Sequence, residues 1–91
     1  MASDSNDGVV VSQIAKNRRG DVLRVSLKEY EGHRFVDIRQ FYTPQGGSAP
    51  VGTKKGVTVP VHLIEQMIEA LLAARRKAIE LGWDREHQRA A

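Results

Sequence analysis

Cysteine is absent from this chain, which excludes disulfide staples and thiolate metal sites. Histidine is sparse, and His33, His62 and His87 share no ligand-like spacing, so no metal and no other cofactor is expected. No apolar run approaches the roughly 20 residues that span a bilayer. The opening MASDSNDG is acidic and polar, the opposite of a secretory leader. A protein without a membrane partner, soluble and intracellular, is expected. Aromatic residues make up only 5% of the chain, and four of them (Tyr30, Phe35, Phe41, Tyr42) fall between Val22 and Tyr42. Ninety-one residues fit one small domain, which buries only roughly 60–65% of its unfolded surface. With disulfides and metals excluded, self-association is the remaining way to supplement so thin a core.

Charge is present in excess of one sign and unevenly placed. The net charge is +3 and the isoelectric point about 9.6. Residues 1–15 hold only Asp4 and Asp7. Residues 16–55 hold nine cations against four anions, and residues 56–91 hold five of each. The positive field therefore sits on the first two thirds of the chain. That is the footprint of a polyanion binder, and equally of a solvated basic face kept soluble by its charge.

Residues 1–8 have nothing to bury and read as a disordered tail. Residues 9–83 read as the folded domain and 84–91 as a charged tail. Val9-Val10-Val11 opens a β-branched run through Ile14, and Asn17–Asp21 reads as a turn. From Val22 to Tyr30 alternation is clear: Leu23, Val25 and Leu27 face one way, and Arg24, Ser26, Lys28 and Tyr30 the other. Glu31-Gly32 reads as a hairpin turn. His33–Tyr42 is less clean. Arg34, Val36, Ile38, Gln40 and Tyr42 share one parity, Phe35, Asp37, Arg39 and Phe41 the other, and both sets are part apolar. Either both faces are covered, or the strand twists or bulges. Thr43–Gly56 is dense in Gly and Pro and reads as a long loop, with Lys54-Lys55 where it returns to the sheet. Gly56–Val59 suggests a short fourth strand stopped by Pro60, with Thr58 as an N-cap candidate. From Val61 to Leu81 the period is helical. Ile64, Met67, Ile68, Leu71, Leu72 and Ile79 form an apolar stripe interrupted by Arg75, and Gly82 is placed to end the helix with Trp83 beyond it.

No nucleophile elbow, phosphate-cradling loop or other catalytic constellation is present, and an enzyme is not expected. The positive signal is for binding. Single-stranded nucleic acid is held by cations for phosphates and aromatics for bases. Tyr30 and Tyr42 end adjacent strands, and Lys28, Arg39, Lys54 and Lys55 are placed to surround them. Phe35 and Phe41 read better as core. Tyr42 either stacks or packs under the Gly-rich loop. Arg18 and Arg19 either bind phosphate or form a solvated turn. Trp83 reads as a helix cap or an interface residue.

Four ordered segments carry a family resemblance: Gln13–Lys16, Val25–Gly32 (VSLKEYEG), Val36–Tyr42 (VDIRQFY) and Lys54–Thr58 (KKGVT), with an amphipathic helix after them. Together they resemble the C-terminal domain of the positive-cofactor-four family of transcriptional coactivators, which includes short bacterial members. The resemblance implies an α+β fold: a four-stranded, strongly curved antiparallel sheet followed by one long helix, in a homodimer. It implies binding of single-stranded or melted DNA with little sequence preference, in transcription or in replication and repair, with the transcription machinery as a further partner. The implied location is the cytoplasm, at the nucleoid, or the nucleus of a eukaryote. By position, Tyr30, His33, Arg39, Tyr42, Lys54 and Lys55 line the implied DNA path, and Arg24 and Lys28 extend it along the cationic face of the first hairpin strand. Tyr42 stands where the family often has Trp, a larger stacking surface. Ile64, Met67, Ile68, Leu71, Leu72 and Ile79 are the expected dimer interface. Two rivals stay open: an RNA-binding module of the same fold, and a protein-interaction adaptor that uses the helix face.

Overall fold

The computed structural model describes residues 8–47 and 49–83. The expected tail at 84–91, and all of the expected N-terminal tail except Gly8, lie outside the described residues. The elements are β1 (Val9–Ala15), β2 (Val22–Tyr30), β3 (His33–Tyr42), β4 (Val51–Pro60), a 3-10 turn (Val61–Leu63) and α1 (Ile64–Glu80). The four strands pair antiparallel, in chain order, in one sheet. Four antiparallel strands followed by a helix is the order that the change from twofold to helical periodicity predicts. The chain divides into a sheet unit that runs to Val61 and a helical unit from His62 onward.

In the sheet unit, β2 and β3 form an unbroken ladder from Val22↔Phe41 to Tyr30↔His33. Their two-residue turn has Glu31 at φ 50° and Gly32 at φ 82°. This is the double positive-φ geometry whose twist suits a hairpin, and it is costlier for Glu31 than for Gly32. Residues directly opposite in a ladder share a face. Val22, Arg24, Ser26, Lys28 and Tyr30 therefore stand with Phe41, Arg39, Asp37, Phe35 and His33. On the reverse stand Leu23, Val25 and Leu27 with Gln40, Ile38 and Val36. The mixed pattern of His33–Tyr42 thus reflects two occupied faces, not a slip in this ladder. Phe35 and Phe41, expected in the core, instead stand half-buried on the charged face.

The irregularities lie in the outer ladders. In β1–β2 the register slips at Val11, between Val10 and Ser12. In β3–β4, Arg39 pairs with Gly56 and Phe41 with Gly52, so Thr53, Lys54 and Lys55 stand opposite Gln40 alone. The bulge is closed by hydrogen bonds. The Thr53 hydroxyl donates to the Gln40 carbonyl (2.9 Å) and accepts from the Lys55 N–H (3.1 Å).

Two readings of the region after β3 are corrected. The fourth strand is not the short Gly56–Val59 segment but ten residues, Val51–Pro60. Gly52, Lys54, Lys55 and Gly56 disfavour a strand, yet pairing with β3 on both sides of the bulge makes one. Lys54 and Lys55 therefore belong to a strand, not to a loop end. Thr58 caps no helix: it sits inside β4 opposite Asp37, and α1 begins after Leu63 without a side-chain cap.

Among the described residues the buried set is small: Val59, Ser26 and Asp37. Two of the three are polar, and one is an acid. The helical unit buries no residue of α1. Ile68 (50%), Leu71 (59%) and Ile79 (54%) of its apolar stripe are exposed, and Ile64 and Met67 are half-buried. The helix ends as the sequence predicts. Gly82 N–H donates to the Ile79 carbonyl (3.0 Å) and Trp83 N–H to the Ala78 carbonyl (2.8 Å), which is a Schellman cap with Gly82 at C′. Trp83 remains 60% exposed.

Candidate nucleic-acid interface

The β2–β3 register brings five of the eight expected site residues onto one sheet face: Arg24, Lys28, Tyr30, His33 and Arg39. Tyr30 and His33 face each other beside the hairpin turn, both exposed. Arg24 lies across Phe41, its guanidinium carbon 4.0 Å from the ring centroid, and its Nε donates to Gln13 Oε1 on β1 (3.0 Å). Such a cation–π contact contributes about 0.5–1 kcal/mol at an exposed site. It also holds the cation against the sheet while the rest of the side chain stays half-exposed.

At the centre of this face lies Asp37, 3% exposed and paired across the ladder with Ser26, itself 3% exposed. Its carboxylate binds two of the expected site cations. Arg39 grips it with both sides of the fork, Nε to Oδ2 (3.1 Å) and Nη2 to Oδ1 (2.8 Å). Lys28 Nζ stands 3.4 Å from Oδ2. The remaining Arg39 nitrogen, Nη1, donates to the Thr53 carbonyl in the bulge (2.9 Å). Burial pushes the Asp37 carboxyl up, but the Arg39 hydrogen bonds and the charges of Lys28 and Arg39 outweigh it, so the group titrates below its ordinary value. Arg39 is raised above its ordinary value by the Asp37 hydrogen bond, against an opposing effect of burial. Among the described residues no buried side-chain nitrogen or oxygen lacks a partner.

Gly56 sits beneath the guanidinium. A Cβ at this position would stand 2.9 Å from Arg39 Cζ and 2.8 Å from the Ile38 carbonyl oxygen. Any side chain there would lift the arginine off the strand.

The β2–β3 ladder does not include the other three expected residues. Tyr42 has the opposite parity to Arg39 and is 42% exposed at the end of β3, opposite Val51. Lys54 and Lys55 are exposed in the β4 bulge, one and two residues beyond the Thr53 whose carbonyl holds Arg39. Arg19 is anchored in the Asn17–Asp21 turn, where Asn17 Oδ1 accepts from the N–H groups of Arg19 (3.1 Å) and Asp21 (3.2 Å). Sequence reasoning passed over Asp37, Gln13 and Gly56. The signal for Asp37 was present: an acid two residues before Arg39 on the same parity, with Lys28 diagonal to it. Among the described residues no group of three or more His, Asp or Glu side chains is arranged to hold a metal, and no helix is long and apolar enough to cross a membrane.

The chain is similar to known proteins over most of this sheet. A family profile described as "Transcriptional Coactivator p15 (PC4)" matches residues 17–70. The RNA polymerase II transcriptional coactivator KIWI of Arabidopsis thaliana is 41% identical over 59 residues, which are 65% of this chain and 49% of that protein. The chain thus spans about half the length of that curated relative. Among solved structures, a PC4 homolog from Burkholderia pseudomallei superposes with a TM-score of 0.67 at 29% identity, covering 76% of this chain and 90% of that one. A bacteriophage T5 homolog of the eukaryotic coactivator PC4, implicated in recombination-dependent DNA replication, shares the fold with a TM-score of 0.56 at 20% identity. It covers 90% of this chain and 97% of its own.

The Asp37 cluster has a consequence for acid stability. A carboxyl lowered by folding stabilises the native state above its unfolded pKa and loses that contribution as pH falls through the folded value. Wild-type stability should therefore decline from about pH 4 downward. Asp37→Asn should lower stability at neutral pH and flatten this limb of the profile. Urea midpoints measured between pH 2 and 7 check it; parallel profiles for the two proteins would contradict it.

Proposed function

Because the chain belongs to the PC4 family of transcriptional coactivators, we propose that it is a non-enzymatic homodimer. It binds single-stranded DNA with little sequence preference, on melted DNA in transcription or in replication and repair, with the transcription machinery as a further partner. The observation that carries this reading is the shared face of Arg24, Lys28, Tyr30, His33 and Arg39, with Lys54 and Lys55 in the bulge at the sheet edge. Exposed Tyr30 (63% exposed) offers a ring for a base. Arg24, Lys54 and Lys55 offer charge to phosphates. This combination suits unpaired strands, whose bases are free to stack. The strand crosses the charged face from Tyr30 and leaves over the β4 edge past Lys54 and Lys55, where Tyr42 meets it on the far side.

The homodimer is supported by what one protomer leaves uncovered. Ile68, Leu71, Leu72 and Ile79 are all at least 38% exposed on one helical stripe, and the buried set among the described residues is small. A second copy is the occupant proposed for that stripe, in preference to an unrelated adaptor partner.

Fluorescence anisotropy with oligothymidine and with duplex DNA, from low to high salt, tests the binding reading. The single strand should bind more tightly, with log K falling by roughly 0.7 per phosphate neutralised for each decade of salt. Tyr30→Ala should weaken binding roughly tenfold, and more than Tyr42→Ala does. Equal or tighter binding of duplex would overturn the reading, and a matched RNA oligomer in the same titration decides between DNA and RNA.

Light scattering tests the assembly. At micromolar concentration the mass should be twice the 10.1 kDa chain, and Leu71→Asp should give monomer. A wild-type monomer would contradict it.

A further inference from the structure

Arg39 is held in a way that does not suit a phosphate clamp. All three guanidinium nitrogens already have partners in the sheet: Nε and Nη2 on Asp37, Nη1 on the Thr53 carbonyl. The Nε–Nη2 edge, one of the edges that could grip a phosphate with two parallel hydrogen bonds, is closed on a carboxylate that is itself 3% exposed. The positive charge is also offset locally, since the same carboxylate neutralises one of the two cations around it. Gly56 lies against one side of the group, at the close approach that forbids a Cβ. The Arg39 side chain is nevertheless 26% exposed. With three of its five N–H donors spent in the plane and one face on Gly56, the broadest surface left to a ligand is the other flat face.

We infer that Arg39 meets the nucleic acid with the flat face of its guanidinium, as a stacking plate for a nucleobase, and that Asp37 is the positioning residue that holds the plate level. This rests on the single-strand reading above and deepens it. Planar, weakly hydrated guanidinium groups stack on π systems, whereas a lysine ammonium does not. The plate also explains the bulge that surrounds it. Two extra residues in β4 bring the Thr53 carbonyl to Nη1, which fixes the third corner of a group that Asp37 fixes at the other two. Arg39 lies among other ligand-facing groups, with Arg24 opposite it on β2 and Lys28 on the far side of Asp37. Those two cations can serve phosphates on either side of a base lying over the plate.

The plate and the phosphate clamp make opposite forecasts. Arg39→Lys keeps the charge and loses the plane. Asp37→Asn raises the net charge of the face by one and releases the guanidinium. Both variants, with the wild type, are titrated with oligothymidine and with an abasic oligonucleotide of the same length, after circular dichroism has established that each is folded. On the stacking account Arg39→Lys weakens oligothymidine binding about fivefold or more, leaves the abasic strand within about twofold, and leaves the salt dependence unchanged. Asp37→Asn also weakens oligothymidine binding despite its added positive charge. An Arg39→Lys variant that binds oligothymidine like the wild type overturns the inference, and this holds even if Asp37→Asn fails to fold. So does an Asp37→Asn variant that binds both strands more tightly. A wild-type protein that binds neither strand removes the single-strand reading and the inference together, whereas wild-type binding with an unmoved Arg39→Lys variant removes the inference alone.

Discussion

Asp37 places a negative charge where the sheet is nearly dry. Burying a carboxylate is costly unless it is paired and hydrogen-bonded, and the neighbouring architecture follows from meeting that condition. Lys28 comes from the adjacent strand and Arg39 from two residues along the same strand. Ser26 lies opposite in the ladder. Arg39 reaches the carboxylate only because Gly56 leaves its path clear, and its last nitrogen is satisfied only because β4 bulges to offer a carbonyl. Breaking such a pair by removing one partner typically costs about 3–5 kcal/mol. That is a large part of the margin available to a chain this short. The charged face is therefore more than a solvated coat on an apolar sheet: its centre is one of the few buried places among the described residues.

This changes how the basic charge is to be counted. The excess over residues 16–55 is not a set of equal, independent cations. Lys28 and Arg39 share an internal counterion, and Arg24 is committed to Phe41 and Gln13. The cations exposed in the bulge are Lys54 and Lys55. A surface built this way offers modest net charge at its centre, held in fixed geometry, and exposed charge at its rim. Fixed, flat, partly apolar groups favour bases; rim lysines favour phosphates. Both are open to a single strand, while a duplex presents its phosphates outward and keeps its bases stacked on one another.

Much of this arrangement was legible in the sequence, and the limits are physical. The alternation of Val22–Tyr30 fixes one strand with a cationic face, and Gly32 marks the turn. The stripe from Ile64 to Ile79 and the glycine at 82 fix the helix and its end. His33–Tyr42 resisted the same reading because alternation presumes one apolar and one polar face. Here the polar face carries Phe35 and Phe41, the latter under a guanidinium, around a buried acid. β4 was cut short because its strand character comes from pairing with β3 and not from its Gly- and Lys-rich composition. The opposite parity of Arg39 and Tyr42 was legible and persists, since the β2–β3 ladder has no slip. What sequence could not supply was the location of the irregularity, on β4, because a bulge is a property of two strands together.

The central claim is that single-stranded DNA lies on the face that carries Arg24, Lys28, Tyr30 and Arg39. Backbone and side-chain NMR shifts, followed through a titration with oligothymidine, test it most directly. The account predicts the largest changes at those residues and at Lys54-Lys55, with the Arg39 Nε–H resonance retained in its bond to Asp37. Changes concentrated instead on Val25, Ile38 and Val57, with the charged face unmoved, would contradict it.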